Sequence, residues 1–240
     1  MISVCIATYN GGEYLRTQLE SILPQLSVED EIIISDDGST DDTRAICYAM
    51  NSPLIRVIDG PALGSPIPNF ENALRHARGE YIFLSDQDDR WLPGKVERLL
   101  QELQTTDCVI SDCRVTDAHL NVTSPSFNHL IGGRPGRWFN LLVRNAYLGG
   151  CMAFRRCVME KSLPFPKDIP MHDIWIGNVA AFFFRLRFID DVLSDFRRTG
   201  NNVSTSAGKS QNSLGMKILI RWIVVKNLVR KIFRWPDRIN

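Results

Sequence analysis

The sequence predicts an α/β fold: an open, mostly parallel sheet with helices on both faces, followed by a helical segment at the C-terminal end. Within residues 1–90, short apolar runs rich in β-branched residues alternate with segments of helical spacing. Such alternation favours parallel strands joined by crossover helices. The apolar runs end in polar or acidic residues, and ligands of these sheets bind beyond the carboxyl ends of the strands. We therefore expect these polar clusters to meet in one crevice.

The elements of residues 1–90 follow one another closely. Strands are predicted at Ile2 to Ala7, Glu31 to Ser35, Leu54 to Ile58 and Tyr81 to Leu84, with helices at Glu13 to Leu26, Thr40 to Met50 and Asn69 to Ala77. Leu15 and Leu19 recur at helical spacing in the first helix. Asp41 and Asp42 suit the first turn of the second helix, and Gly79 follows the third.

Beyond Trp91 the pattern is less regular. A helix is predicted at Lys95 to Gln104, a strand at Cys108 to Ser111, a strand over the crevice at Leu148 to Phe154 and an apolar helix at Ile174 to Phe184. The stretch from Arg197 to Gly208 is polar and rich in small residues, so we expect it to be mobile.

Composition excludes several classes of protein. Hydrophobic residues make up 44% and charged residues 23%, as in a soluble globular domain. The formal net charge is +1, and we expect no nucleic-acid partner. The six cysteines form no C-x-x-C pair and are interpreted as reduced core thiols. We find neither a signal-peptide pattern at the start nor an apolar run long enough for a transmembrane helix.

The acidic run from Asp86 to Asp89 follows the fourth predicted strand. Three carboxylates within four residues repel one another unless a cation neutralises them. Hard oxygen ligands favour Mg²⁺ or Mn²⁺, and a bound diphosphate would supply further oxygens. A solvated turn is the alternative, because Asp is common in turns.

Two more polar clusters follow the first and second strands. Asp37 could accept a hydrogen bond from a base imide or a ribose hydroxyl, while Ser39 or Thr40 could cap the next helix. Tyr9, within Thr8-Tyr9-Asn10, could stack on a base, although an ordinary strand-to-helix turn would explain the same residues. His172-Asp173 precedes a predicted helix: Asp173 is either a general base or a helix cap, and His172 is more often structural.

Four motifs then occur in an order that resembles bacterial family 2 glycosyltransferases with the GT-A fold. They are Ala7 to Gly11, Ser35 to Asp41, Gly79 to Asp89 and Met171 to Asp173, and the resemblance extends from Met1 to Ser206. It is greatest to polysaccharide-assembly members, including rhamnosyltransferases. Ile174 and Arg198-Thr199 depart from the commonest patterns there, which leaves the donor sugar open.

The resemblance implies a role for each motif. Tyr9 and Asp37, with Thr8 and Asn10 beside them, would contact the nucleotide. Asp86 and Asp88 match the metal-binding carboxylates, with Asp88 the direct ligand of Mn²⁺ or Mg²⁺. Asp173 matches the catalytic base of inverting members. Arg197 and Arg198 would reach the diphosphate, although a solvated basic turn is an equal alternative for these two.

The implied activity is transfer of a sugar from a nucleotide-diphosphate sugar, dTDP-rhamnose or a UDP-hexose, to a lipid-linked saccharide at the cytoplasmic membrane face. The predicted organisation is a catalytic domain at 1–208, with a nucleotide-binding half at 1–90 and an acceptor half at 91–208. A dehydrogenase is disfavoured because the first turn lacks G-x-G-x-x-G. A catalytically silent nucleotide-sugar-binding module remains the alternative.

A basic amphipathic helix is predicted within 209–240. From Lys209 onward there are eight Lys and Arg residues and a single acid, Asp237. One helical face carries Ile218, Trp222, Val225, Val229 and Ile232, widened by Leu228 and Phe233. Basic residues surround that face, and Trp222 and Trp235 suit a headgroup boundary. We expect this helix to bind a membrane surface, with docking on the catalytic domain or a partner as the competing interpretation.

Overall fold

The computed structural model describes residues 1–199 and 213–233. The strands are β1 (Ile2–Thr8), β2 (Glu31–Asp36), β3 (Ile55–Asp59), β4 (Tyr81–Asp86), β5 (Arg90–Trp91), β6 (Cys108–Thr116), β7 (Val122–Ser124), β8 (Met152–Arg155) and β9 (Leu186–Arg197). The helices are α1 (Gly12–Ile22), α2 (Thr43–Ala49), α3 (Pro66–His76), α4 (Lys95–Leu103), α5 (Phe127–Ile131), α6 (Arg137–Leu142), α7 (Arg156–Ser162), α8 (His172–Phe183) and α9 (Leu214–Phe233).

The strands form one sheet in the order β3-β2-β1-β4-β8-β6-β9-β5, with β7 paired to β6. The four strands of the first half are all parallel, as predicted. The second half is mixed: β8 runs antiparallel to both β4 and β6, whereas β9 runs parallel to β6. The α/β prediction is confirmed, and the antiparallel strands lie in the part of the sequence where the pattern was irregular.

The carboxyl ends of the first strands are aligned. Thr8, the last residue of β1, pairs with Asp36, the last residue of β2, and Ala7 pairs with Asp86 at the end of β4. The three predicted polar clusters therefore lie along one edge of the sheet. This is the position at which open α/β sheets bind ligands.

Hydrophobic cores cover both faces of the sheet. Successive strand residues point to opposite faces, so Cys5 packs with Phe70 of α3, whereas Ile6 packs with Leu15 of α1. The α3 side also receives buried residues of α7, α8 and α9, and the α1 side those of α4. All six cysteines are free and five are buried, as predicted for core thiols.

Several predicted boundaries were wrong. Helix α2 begins at Thr43 rather than Thr40, and the Asp41 carboxylate accepts from the Thr43 N–H at 3.0 Å. The strand predicted at Leu148 to Phe154 is a 3₁₀ turn at Gly149–Cys151 followed by the shorter β8. Strand β9 was not predicted, because charged residues interrupt its apolar pattern. Arg197 ends β9 and is buried, so it is not part of a mobile loop; residues 200–208 lie outside the described part of the chain.

Helix α9 packs on the catalytic domain through one face and is exposed on another. Val224, Asn227 and Leu228 are buried, and Val225 is partly buried against the same core. The prediction that Leu228 and Val225 face outward was therefore wrong, because a 20-residue helix that docks must turn some apolar residues inward. Among the described residues, no helix combines the length and apolar character needed to cross a membrane.

Candidate active site

Asp36 connects the ends of β1 and β2 at the crevice. Its buried carboxylate accepts from the Thr8 hydroxyl at 3.0 Å and from the Ser39 hydroxyl at 2.6 Å. The Arg44 guanidinium lies 3.5 Å away. A buried carboxylate needs such partners, so Asp36 organises the site, and the Thr8 hydroxyl belongs to its network.

Asn10 joins the turns that follow β1 and β2. Its backbone N–H donates to the Ser39 hydroxyl, and its side-chain oxygen accepts from the Thr40 N–H, both at 2.9 Å. Its φ of 47° lies in the left-handed region, which Asn tolerates better than most residues. Ser39 and Thr40 serve this junction and do not cap α2, which begins at Thr43.

Tyr9 presents its ring outward while its backbone is held by Gln87. The side-chain oxygen of Gln87 accepts from the Tyr9 N–H at 2.9 Å, and its amide nitrogen donates to the Tyr9 carbonyl at 3.2 Å. The Tyr9 side chain is 53% exposed, so the ring has a free face for stacking. Gln87 links the predicted base-binding turn to the acidic run of β4, a role that the sequence did not reveal.

Asp37 is buried beneath the loop that precedes α3. Its carboxylate accepts from the Gly64 N–H at 2.8 Å and from the Leu63 N–H at 3.4 Å. Its own N–H donates to the Thr8 carbonyl at 2.9 Å. Asp37 therefore fixes the loop above the crevice, and its contact with a base stays a prediction.

Two carboxylates, the partly buried Asp86 and the buried Asp89, converge on Gly150. A Cβ atom at Gly150 would lie 2.6 Å from Asp89 Oδ2 and 3.4 Å from Asp86 Oδ2, so only glycine leaves both oxygens in place. Burial, together with the charges of Asp88 and Asp173, raises the pKa of Asp86 to about 8. Burial and the same run of acids also raise the pKa of Asp89 well above its usual range.

Two cationic residues border this acidic run. Lys95 is fully buried, and its ammonium donates to the Gly150 carbonyl at 2.5 Å; burial lowers its pKa. Arg197 donates its backbone N–H to Asp89 at 3.1 Å, and its guanidinium lies 4.7 Å from the ring centre of Tyr14. Burial lowers the pKa of Arg197, and the charge of Asp88 opposes that shift.

The two predicted arginines therefore differ in position. Arg197 is brought to the acidic run, as a residue that reaches a diphosphate would have to be. Arg198 donates its backbone N–H to the Thr116 carbonyl at 2.9 Å, and its guanidinium lies 5.9 Å from the ring centre of Phe196. The remainder of the predicted loop lies outside the described residues.

Asp173 lies in the first turn of α8, beside Gly149. Its carboxylate accepts from the Gly149 N–H at 3.3 Å and from the Ile174 N–H at 2.6 Å. Burial raises the pKa of Asp173 to about 6. The geometry is compatible with both a helix cap and a general base. The backbone hydrogen bonds orient the carboxylate, and its pKa suits a general base near neutral pH.

His172 is a buried neutral residue. Its ring stacks on Phe70 with 3.9 Å between centroids, and burial lowers its pKa to about 3. Its Nε2 atom would lie 3.2 Å from a Cβ at Gly149. His172 thus packs against Phe70 beside Asp173 and does not exchange protons at neutral pH.

Lys95, Gln87 and the Gly149–Gly150 turn are the site residues that sequence reasoning missed. Lys95 begins a helix, where a lysine normally points to solvent, and the two glycines lay inside a predicted strand. The strong amphipathic pattern of α4 was a usable signal, because it places Lys95 on the same face as Leu99.

A divalent cation fits the donor set at the end of β4. Asp86, Asp88 and Asp89 offer hard carboxylate oxygens, and burial together with their mutual repulsion raises the pKa of Asp86 and Asp89. Within residues 1–199 and 213–233, however, no three His, Cys, Asp or Glu side chains are arranged as a ready-made metal site. A diphosphate would have to supply the missing oxygens.

Comparison with known sequences identifies the family. The model of "Glycosyl transferase family 2" matches residues 3–163, more than half of the chain. YibD of Escherichia coli, an uncharacterised glycosyltransferase, is 33% identical over 260 aligned positions, covering 99% of this chain and 73% of YibD. Two other curated relatives match over 45% and 43% of this chain, and the match spans only 36% and 33% of their own length.

Solved structures show the same fold. Staphylococcus aureus TarS, in complex with UDP-GlcNAc, superposes with a TM-score of 0.69 at 19% identity, covering 99% of this chain and 68% of that one. Glucosyl-3-phosphoglycerate synthase of Mycobacterium tuberculosis, in complex with Mn²⁺ and UDP, gives a TM-score of 0.59 at 20% identity over 99% and 81% of the two chains. The chain belongs to glycosyl transferase family 2 and is a glycosyltransferase.

Proposed function

We propose that the protein is an inverting glycosyltransferase of bacterial surface-polysaccharide synthesis. The donor would be a nucleotide-diphosphate sugar, dTDP-rhamnose or a UDP-hexose, and the acceptor a hydroxyl of a lipid-linked saccharide. Family membership supports the reaction class. Structural neighbours bound to UDP and UDP-GlcNAc support a nucleotide-sugar donor.

The donor nucleotide would occupy the edge formed by β1, β2 and β4. The exposed Tyr9 ring can stack on a base, and its backbone is fixed by Gln87. Asp37 and the loop at Leu63–Gly64 would line the base, and Thr8 and Asn10 would hold the surrounding turns in place. Arg197 is the better placed of the two arginines to meet a diphosphate, with Arg198 beside it.

Asp86 and Asp88 would hold Mn²⁺ or Mg²⁺ together with the diphosphate. When bound, the metal neutralises negative charge on the departing nucleoside diphosphate. Lys95 holds the Gly150 carbonyl, and Gly150 leaves room for the carboxylates of Asp86 and its neighbour Asp89. The neighbouring synthase in complex with Mn²⁺ supports this choice of ions.

The proposal rests most heavily on the Gly149–Gly150 turn. Gly149 contacts Asp173, and Gly150, the next residue, faces Asp86 and Asp89. Two adjacent glycines thus contact the candidate base on one side and the acidic run on the other, which brings these groups close together. Asp173 would take the proton of the acceptor hydroxyl as its oxygen attacks the anomeric carbon, and the bond to the diphosphate would break on the opposite side.

Nuclear magnetic resonance of the reaction tests this function. Each candidate donor is incubated with Mn²⁺ and a lipid-linked saccharide, and the new anomeric signal is assigned. We expect a glycoside whose anomeric configuration is opposite to that of the donor. Retention would contradict inversion, and donor binding without turnover for every pair would support the silent binding module.

We further propose that α9 attaches the enzyme to the inner face of the cytoplasmic membrane. The outward side of α9 exposes large apolar residues, among them Ile218, Trp222, Val229 and Ile232, and Trp222 is 62% exposed. Arg230 is also exposed, and the described part of α9 contains no acid. An apolar face bordered by basic residues suits an anionic lipid surface.

Point substitutions test membrane attachment better than truncation, because α9 also contributes Val224 and Leu228 to the core. The double variant Ile218→Gln, Trp222→Gln should stay folded and lose most co-sedimentation with vesicles containing phosphatidylglycerol. The control carries Gln at two exposed valines elsewhere, Val28 and Val122. Equal sedimentation of the two variants would reject the attachment.

A further inference from the structure

A cavity lies between α6, α8 and α9, outside the donor site. Its volume is about 90 Å³, and one side of it opens to solvent. Ligand pockets usually measure roughly 300–1,000 Å³, so a saccharide would enter this smaller cavity with one part and leave the rest at its open side. None of the predicted donor-site residues lines it, and its polar lining comes from asparagines and two cations.

Asn178 supplies a buried polar atom without a partner. Its amide nitrogen donates to the Ile174 carbonyl at 2.8 Å, which fixes the orientation of the side chain. Its Oδ1 atom has no hydrogen-bond partner among residues 1–199 and 213–233, although the residue is only 1% exposed and lines the cavity. Buried oxygens are rarely left in this state. A ligand hydroxyl could donate to Oδ1.

The opposite wall of the cavity carries positive charge. Lys217 and Arg221 lie one turn apart on α9 and both line the cavity, whereas no acid does. Arg221 also donates to the Val143 carbonyl at 2.9 Å, which holds its guanidinium at the end of α6. Two cations without a neighbouring acid favour an anionic group such as a phosphate.

The cavity begins beside the candidate base. Ile174, which lines it, directly follows Asp173 and donates its N–H to that carboxylate. Asn145 lines the other side and precedes the segment that leads to Gly149. A saccharide whose reacting hydroxyl meets Asp173 could therefore extend past Ile174 into this cavity.

We propose that this cavity is the acceptor subsite and binds a phosphate-bearing saccharide, with sugar hydroxyls toward Asn178 and the phosphate toward Lys217 and Arg221. The assignment rests on the proposed glycosyl transfer, because it treats the ligand as the acceptor of that reaction. The exposed apolar residues of α9 lie on the same helix as both cations. The lipid portion of an acceptor would therefore leave the cavity along α9.

An acceptor role for Asn178 has a consequence for stability. In the empty protein its buried oxygen is unsatisfied, and an apolar side chain of similar volume removes that cost. Asn178→Leu should therefore leave the melting temperature unchanged or raise it, while weakening acceptor binding. A purely structural asparagine would give the reverse, a lower melting temperature with acceptor affinity unchanged.

Direct binding tests the proposal without requiring catalysis. The probes are glucose 1-phosphate, galactose 1-phosphate and N-acetylglucosamine 1-phosphate, titrated by calorimetry into the full chain with UDP and Mn²⁺ in excess to fill the donor site. We expect saturable binding of at least one probe. Its affinity should fall at least about tenfold in both Asn178→Leu and Lys217→Glu, equivalent to the loss of one good hydrogen bond or charge contact.

The control is Lys167→Glu, which makes the same charge change at an exposed lysine outside the cavity. It should bind the probes as the wild type does. Absence of binding by all three probes, or equal loss in Lys167→Glu, would overturn the subsite. Inorganic phosphate that binds as tightly as the sugar phosphates would overturn the saccharide part. Because no sugar is transferred in this assay, its failure leaves the proposed reaction to be tested separately.

Discussion

The two halves of the crevice are stabilised differently. In the first half, the turns after β1 and β2 are joined by hydrogen bonds between side chains and backbone, as at Asn10 and Asp37. In the second half, the buried Asn178 keeps a side-chain oxygen with no hydrogen-bond partner among the described residues, and burial raises the pKa of Asp173. Under the proposed function, the donor side is a preformed frame, whereas the acceptor side contains an unsatisfied oxygen that a ligand would complete.

This difference matters for catalysis. A rigid donor site fixes the position of the leaving group before the reaction begins. A buried, weakly solvated carboxylate gains basicity, because its charged form has lost water without gaining a cation. Substitutions in the first half should therefore weaken donor binding in graded steps, whereas those near the acidic run and Asp173 should reduce the transfer rate itself.

A large effect is expected at Asp88, where the two halves meet. Asp88→Ala should abolish the Mn²⁺-dependent gain in affinity for the nucleoside diphosphate. It should also slow transfer on the order of 10³-fold, because several kcal/mol of charge stabilisation are lost. Calorimetry with and without Mn²⁺ measures the first effect. The control Glu20→Ala removes an exposed acid of α1 and should change neither quantity; an unchanged affinity in Asp88→Ala would remove the metal assignment.

A smaller effect is expected at Gly150. The added methyl of Gly150→Ala would press on Asp89, which cannot move freely because its carboxylate is buried and accepts from the Arg197 N–H. A displacement of about 1 Å near the reacting groups can cost roughly 10²-fold in rate, and we expect that loss in kcat. Gly215→Ala, on the exposed side of α9 with no atom closer than 4.0 Å, is the matched control. Full activity in Gly150→Ala would contradict the close approach.

The smallest effect is expected at Gln87. Gln87→Ala removes both hydrogen bonds to the Tyr9 backbone, each worth about 1 kcal/mol at most at this partly exposed position. Donor KM should rise roughly five- to tenfold with kcat nearly unchanged, because only the base-stacking turn loosens. A fall in kcat with unchanged KM would show that Gln87 acts on the acidic run instead.

The sequence predicted the first half of the fold, and the meeting of its polar clusters at one edge, for a physical reason. Parallel strands and their helices are local units, and polar residues at strand ends are brought together by the sheet itself. Thr8, Asp36 and Asp86 therefore lie at one edge without any further information. The boundaries failed by a few residues where side chains such as Asp41 formed turns of their own.

The second half depended on contacts that no local pattern encodes. Charged residues in strand β9 are typical of a protein surface. Asp195, however, is buried and forms ion pairs with Arg90 and Arg114. The sequence pattern predicted a surface position for Lys95. Its burial depends on a hydrogen bond to the Gly150 carbonyl, which lies more than fifty residues away in the sequence. Which side of α9 faces the domain was likewise decided by tertiary packing.

The pH dependence of kcat/KM distinguishes a catalytic base at Asp173 from a purely structural carboxylate. Burial raises its pKa to about 6, so the charged form that accepts a proton is lost as pH falls through that value. Wild-type kcat/KM should then fall about tenfold per pH unit below about 6. The free energy of unfolding changes with pH in the opposite direction to activity. A raised carboxyl pKa means that the folded state keeps its proton longer, so Asp173 lowers stability as pH rises from about 4 to about 6.

The most direct test of the account compares the wild type with Asp173→Asn at neutral pH, measuring donor affinity by calorimetry and sugar transfer with a labelled donor. Asn keeps the shape of the side chain but cannot take a proton. We expect unchanged folding and donor affinity, with transfer reduced by roughly 10²–10⁴-fold. Transfer at the wild-type rate would show that Asp173 serves only to begin α8, and would contradict the assignment of this carboxylate as the base.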